Sequence, residues 1–166
     1  MEKVLYVGFW ICSLIDCHPK GHFNPKDVTK LLEVIPTHYQ AFEPEYRGNP
    51  RELIPGTSLR ASWIYQIGGK YSSSPYLFFE QLIEQILKVV LTETNIYKIN
   101  KLKKQYNFTC ELHIHHFTDS ELINSLIVPE EMITALAEVK GHMALHHHKK
   151  PAIEYGAYHY KRIFEL

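Results

Sequence analysis

The sequence predicts one α+β domain, in which a single mixed or antiparallel sheet carries helices mainly on one face. The chain has 166 residues, which is the size of one ordinary domain. Its hydrophobic fraction of 45% and aromatic fraction of 13% provide enough apolar surface to offset chain entropy. Segments with the two-residue period of strands alternate with segments that have the 3.6-residue period of helices. We therefore treat residues 1–166 as one domain.

The first half of the chain contains two predicted strands and two predicted helices. A run rich in β-branched and aromatic residues predicts a strand over residues 3–15. An Asn-Pro pair then favours the start of a helix over 25–35, which a following proline ends. A second strand is expected at 58–67, closed by two glycines. The strongest amphipathic pattern predicts a helix over 75–91.

The second half repeats the alternation of helices and strands. A short helix is expected at 95–105, followed by a strand at 108–117. The Pro-Glu-Glu segment that begins at Pro129 predicts another helix, because acidic residues favour a first turn. Strands are expected at 142–148 and, near the end of the chain, at 155–164.

Two parts of the sequence resemble each other. The strand at 3–15 and its helix, which begins with Pro-Lys-Asp, resemble the strand at 108–117 and its helix, which begins with Pro-Glu-Glu. A single sheet with helices mainly on one face accommodates such a pair economically. The sequence thus predicts two related β-α units in a ferredoxin-like arrangement.

Charge and cysteine usage limit the classes of function. The chain has 18 basic and 18 acidic residues, so it lacks the basic excess of a general nucleic-acid or membrane-surface binder. Zero net charge also favours self-association, so a homo-oligomer is one expectation. Cys12, Cys17 and Cys110 have neither redox nor zinc-binding spacing, and an odd number of cysteines fits a reducing compartment. We therefore expect a cytoplasmic protein, and the apolar run at the start is too short for a membrane span.

Several short segments resemble those of a known family. They are Leu-Leu-Glu-Val-Ile-Pro-Thr at 31–37, a loop containing Gly48, Arg-Ala-Ser-Trp at 60–63, and a serine-rich cap before the amphipathic helix. Together they resemble the bacterial family catalogued as domain of unknown function 4279, over most of the chain. The resemblance implies a small cytoplasmic bacterial α+β domain without an assigned activity. The histidine-rich tail does not belong to this pattern, so the resemblance gives a metal role no support.

Histidine is the most unusual residue type in the composition, with 11 copies. In the strand at 108–117, His113 and His115 share the face opposite the apolar residues, and in the strand at 142–148, His146 and His148 share a face. If these strands are neighbours, four imidazoles gather on one sheet surface. Imidazole is a good ligand for zinc and other transition metals. The alternative interpretation is a solvated sheet face or a polar edge that limits aggregation.

The long connection over residues 36–57 predicts a protein-binding surface. Loops of this length are uncommon in compact domains and are often functional. Aromatic and arginine side chains, which are frequent in protein interfaces, lie in and beside it: His38, Tyr39, Phe42, Tyr46, Arg47, Arg51, Arg60 and Trp63. For Trp63 itself a core position is favoured, and a place on this surface is the alternative.

No catalytic motif occurs in the chain: there is no nucleophile elbow, phosphate-binding loop, dinucleotide fingerprint or metalloprotease helix. The sequence therefore favours a non-enzymatic protein-binding or accessory module, of the kind that an immunity protein represents. The first alternative is a metal-binding protein or metal-dependent enzyme that uses the four histidines, with zinc or another transition metal as cofactor. The second is an RNA-binding or RNA-processing protein that uses the histidines and a run of lysines over 98–104.

Overall fold

The computed structural model describes residues 3–14, 21–42, 59–72, 74–118 and 126–148, together with the backbone of 46–47 and 52–53. The strands are β1 (Val4–Ser13), β2 (His38–Gln40), β3 (Tyr46–Arg47), β4 (Glu52–Leu53), β5 (Ser62–Lys70), β6 (Phe108–Phe117) and β7 (His142–His148). The helices are α1 (Pro25–Leu32), α2 (Pro75–Val89), α3 (Glu93–Lys103) and α4 (Glu130–Glu138). The strand predicted at 155–164 and Cys17 lie outside the described residues.

One open five-stranded sheet organises the described part of the chain. Its strand order is β2-β5-β1-β6-β7, and β3 pairs with β4 in a separate two-stranded sheet. The central strand β1 runs antiparallel to both β5 and β6, whereas β7 joins β6 in parallel. The predicted α+β class is therefore confirmed, with a mixed sheet.

The helices bury their apolar residues against one face of this sheet. In β1, that face carries Leu5, Val7, Phe9 and Ile11, all of which are fully buried. All four helices contribute buried side chains to the same core cluster, among them Phe79, Ile83, Ile86, Ile99 and Met132. The opposite face of the sheet is left for the polar and aromatic residues of the alternating strands.

Local backbone chemistry sets the ends of the helices. The Asn24 side chain caps α1 by accepting a hydrogen bond from the Lys26 amide at 3.0 Å, as its sequence position predicts. Helix α1 ends at Leu32, earlier than predicted, because Glu33 adopts a left-handed conformation with φ of 59°. Helix α3 starts two residues before its predicted position, because Thr92 caps it by accepting from the Asn95 amide.

The glycine pair predicted to close the second long strand does not close it. Strand β5 continues through Gly68 and Gly69 to Lys70. Gly68 has a φ of 134°, and a Cβ atom at this position would lie 2.1 Å from the carbonyl oxygen of Leu5 on β1. Glycine is thus required here by close backbone approach within the sheet, rather than by a turn.

The topology does not confirm the two related units or the ferredoxin-like arrangement. The long strands on either side of α1, β1 and β5, are antiparallel neighbours. The strands on either side of α4, β6 and β7, are parallel neighbours, which requires a crossover connection such as α4. The similar Pro-Lys-Asp and Pro-Glu-Glu segments therefore reflect how helices begin, and they do not determine strand direction.

The two described cysteines, Cys12 and Cys110, are free and buried. Burial raises the pKa of the Cys12 thiol to about 11 and that of the Cys110 thiol to about 12. Both side chains are therefore protonated at neutral pH and act as small apolar residues. Among the described helices, none combines the length and the apolar character needed to cross a lipid bilayer.

Candidate metal centre

The four histidines predicted as ligands lie on the sheet face opposite the helices. In β6, Cys110, Leu112 and Ile114 are buried on the helix side, so His113 and His115 point the other way. Parallel pairing places His146 of β7 beside His115. The same register brings His148 to the end of β6, so both histidine pairs meet on one surface.

Two pairs of histidines, each with one residue on β6 and one on β7, have ring nitrogens at hydrogen-bonding distance. The Nδ1 of His113 lies 3.1 Å from the Nε2 of His146, and the Nδ1 of His115 lies 3.2 Å from the Nε2 of His148. The ring planes within the two pairs are 3° and 5° apart. The pairs are stacked on each other, since the His115 and His146 ring centroids are separated by 4.4 Å.

Three of these histidines have the spacing of a metal-binding group. One ring nitrogen from each of His113, His115 and His146 lies within 4.8 Å of the others. In a tetrahedral zinc site, Zn–N bonds of about 2.0–2.1 Å place neighbouring ligand nitrogens about 3.3 Å apart. The His113–His146 separation is already close to this value. The third nitrogen, from His115, lies within 4.8 Å of both.

A carboxylate orients the first of these ligands. The Oε2 of Glu111 lies 2.8 Å from the Nε2 of His113, and Thr109 Oγ1 donates to Glu111 Oε1 at 2.7 Å. The hydrogen bond with His113 is the main reason that the pKa of Glu111 falls to about 2, against the opposing effect of burial. An ionised carboxylate at Nε2 holds the proton there and leaves the Nδ1 lone pair of His113 directed at His146, which is the arrangement that metal-binding histidines use.

Burial lowers the pKa of two imidazoles in the cluster. Burial and the neighbouring His113 lower the pKa of His146, and burial together with His146 and His147 lowers the pKa of His148. Because protons compete with metal ions for imidazole nitrogen, a lowered pKa leaves more of the ligand available near neutral pH.

Two aromatic residues enclose the histidine cluster. The indole of Trp10 stacks on His113 with ring centroids 4.2 Å apart, and Phe117 stacks on His148 at 4.4 Å. Gly8 makes room for this indole, because a Cβ at residue 8 would lie 2.8 Å from Trp10 Nε1. The Trp10 Nε1 and Gln66 Nε2 atoms are buried without a hydrogen-bond partner in the described structure.

Sequence reasoning missed Glu111 and Trp10. Glu111 could have been found, because it lies two residues before His113 and so shares its strand face. Trp10 could not, because its contact with His113 depends on the antiparallel register that pairs Gly8 with His113.

A comparison with protein families identifies the chain. Residues 3–149 match the model of a domain of unknown function, DUF4279. The chain belongs to the DUF4279 family. The matched range includes all four histidines of the cluster. Comparison of this DUF4279 chain with curated proteins and with solved structures gives no match.

The residues predicted to form a protein-binding surface have different positions in this DUF4279 domain. His38 and Tyr39 lie in the edge strand β2, where Tyr39 is 47% exposed, and Arg60 is exposed before β5. Phe42 is half-buried and stacks on His22 at 3.8 Å. The structure describes the backbone of Tyr46 and Arg47 in β3, and Arg51 lies outside the described residues.

Trp63 belongs to the core, as favoured for this residue, and so it does not contribute to the predicted binding surface. Its side chain is 0% exposed on β5, a strand that lies between β2 and β1. The indole Nε1 donates a hydrogen bond to Thr29 Oγ1 of α1 at 3.1 Å, which satisfies the polar group of the buried ring. The core interpretation of this residue is therefore the right one.

The lysine run on α3 is partly engaged in the fold. The Nζ of Lys103 donates to the backbone oxygen of Val139 at 2.5 Å and lies 3.4 Å from that of Lys140. A cation at the end of α4 stabilises the carbonyl groups there. Lys103 therefore holds α4 against α3, whereas Lys101 and Lys104 are exposed.

Proposed function

We propose that this DUF4279 domain binds one divalent transition-metal ion, with zinc as the best fit, through His113, His115 and His146. One observation carries the proposal: three imidazole nitrogens from two adjacent strands lie within 4.8 Å of one another. The Glu111 carboxylate beside His113 supports it, because a carboxylate at the second ring nitrogen fixes the ligand and raises its basicity.

The donor set selects the class of metal. Imidazole nitrogen suits zinc, copper and nickel, whereas magnesium and calcium require oxygen ligands. The nearby carboxylate of Glu111 is already hydrogen-bonded to His113 and Thr109. Three protein ligands leave one position of a tetrahedral ion for water or for a fourth ligand, and His148 beside His115 is a candidate for that fourth position.

The test is metal titration of the untagged, chelator-treated domain by calorimetry and, with cobalt as a spectroscopic substitute, by visible absorption. We expect one ion per chain and a tetrahedral cobalt spectrum. His113→Ala and His146→Ala should abolish binding, whereas His142→Ala should retain it. His142 is a matched control, because it is exposed on the same strand and lies outside the three-histidine group. Absence of stoichiometric binding, or equal loss in the control, would refute the proposal.

A protein-binding, immunity-like role stays a prediction of the sequence. Most of the connection that suggests it, residues 43–58, is either outside the described residues or described as backbone alone. RNA binding, enzymatic activity, a homo-oligomeric state and a cytoplasmic location also stay predictions. Metal binding has the better support because its ligands are close together in space.

A further inference from the structure

The strand that carries His146 has little apolar packing to hold it. In the described sheet β7 is the edge strand, with β6 as its neighbour. None of its seven residues is buried, and Met143 and Leu145 are 50% and 55% exposed. Burial of apolar area is the main source of local stability, so β7 contributes little of its own.

Strand β6 differs sharply from β7 in this respect. Its residues Cys110, Leu112 and Ile114 are buried in the core under the helices, and its other edge pairs with β1 along its whole length. Strand β6 is therefore held firmly in the sheet. Strand β7 is attached to it by the parallel ladder, by the ring contacts between histidines, and by a hydrogen bond from the Thr118 amide to the His148 oxygen.

The proposed metal ligands come from both strands. His113 and His115 belong to β6, and His146 belongs to the weakly packed edge strand β7. An ion held by all three side chains can form its full set of bonds only while β7 is docked on β6. A ligand that binds only the docked form raises the equilibrium ratio of docked to undocked β7 by the factor 1 + [L]/Kd, where [L] is the free ligand concentration.

We propose that the metal ion is a regulatory ligand that controls whether β7 is docked on the sheet. With metal, β7 is fixed to β6; without it, β7 opens locally while the rest of the domain stays folded. This inference rests on the proposed metal binding. Opening would expose the part of the Met143 and Leu145 side chains that is covered in the docked strand. It would also leave the backbone N–H and C=O groups at the edge of β6 unpaired, and another strand can pair with such an edge.

Hydrogen–deuterium exchange of the full chain, with zinc chloride or with chelator, tests this inference. Calorimetry under the same conditions supplies the dissociation constant. At free zinc about 100 times that constant, amides of residues 142–148 should exchange about 100-fold more slowly than in the metal-free domain. In the metal-free domain, those amides should exchange much faster than amides in the middle of β1, such as those of Val7 and Phe9, which become exposed only when the whole domain unfolds.

The outcomes separate the inference from the function on which it rests. If calorimetry detects no metal binding, the proposed function fails. If zinc binds but exchange in 142–148 is unchanged, or if residues 142–148 exchange as slowly as β1 in the metal-free domain, the metal is not a local control and this inference is overturned. The wild-type comparison needs no substitution, so it does not depend on a variant that folds. His142→Ala should keep the zinc-dependent protection, and His146→Ala should lose it.

Discussion

His113 on β6 and His146 on β7 approach each other to 3.1 Å, from Nδ1 to Nε2, across two parallel strands. The two residues are separated by α4 along the chain, so the contact exists only because the crossover returns the chain in register. Glu111 completes a line of contacts from Thr109 through His113 to His146. The expectations below follow from this line and from the fold that supports it.

Replacing Glu111 with Gln should weaken zinc binding by about 10- to 100-fold without unfolding the domain. The amide is neutral, so it no longer favours the Nε2–H form of His113 as the carboxylate does. Calorimetric titration with zinc measures the change. Glu84→Gln is the matched control, because Glu84 lies on α2 and pairs with Lys88 on the exposed helix surface. Equal affinity of the Glu111 variant and the wild type would show that the carboxylate does not support the site.

Substitution of His148 distinguishes a metal site with three protein ligands and a free coordination position from a site that four protein ligands fill. Because His148 lies outside the group of three nitrogens within 4.8 Å, we expect His148→Ala to keep zinc with less than about 10-fold loss of affinity. His146→Ala should lose stoichiometric binding. A loss in His148→Ala as large as in His146→Ala would instead identify four protein ligands and a closed structural site.

The metal-free domain should lose stability as the pH falls from about 7 to 5. Burial lowers the pKa of His116 on β6 below the ordinary value of 6.5, so the unfolded chain binds more protons than the folded one in this window. Stability is then complete above the unfolded pKa and is lost as pH falls through the folded value. Urea denaturation in chelator at several pH values measures this trend.

Substitution of His116 isolates the contribution of one histidine to the pH dependence of the unfolding free energy. His116 is buried on the helix side of β6, where its Nε2 lies 2.6 Å from the hydroxyl oxygen of Tyr71. His116→Gln should reduce the dependence of unfolding free energy on pH between 7 and 5. Stability that rises toward pH 5 in the wild type would contradict the assigned pKa directions.

Trp63 should matter for stability and not for binding. Truncation of a fully buried tryptophan costs about 3–5 kcal/mol, and Trp63→Ala also removes the hydrogen bond to Thr29 Oγ1. Urea denaturation of this variant should show a large loss, with Tyr39→Ala close to the wild type because Tyr39 is half exposed. Zinc affinity of the folded fraction should be unchanged. A mild effect at residue 63 would contradict its core position.

The spacing of apolar residues and the helix-capping residues predicted most of the helices and strands, because both depend on residues that are close together in the sequence. The alternation in β6 placed Cys110 inside and His113 outside, and Asn24 marked the start of α1. Single side chains at the margins of helices were less predictable: Ile133 of α4 is apolar and yet is 55% exposed. Its neighbour Met132 fills the core position instead.

Strand order and direction were not accessible to the same reasoning. The face that His146 and His148 share follows from a two-residue period, but their position beside β6 depends on the crossover through α4. The stacking of Trp10 on His113 depends on the register between β1 and β6 and on the space left by Gly8. Such long-range pairings leave no local pattern in the sequence.

X-ray absorption at the zinc edge tests the metal centre most directly, on the untagged domain loaded with one equivalent of zinc. The account predicts three or more imidazole nitrogens at about 2.0–2.1 Å from the ion, and their loss when His113 and His146 are both replaced with alanine. A first shell of oxygen atoms alone, or a spectrum that the double substitution leaves unchanged, would contradict it.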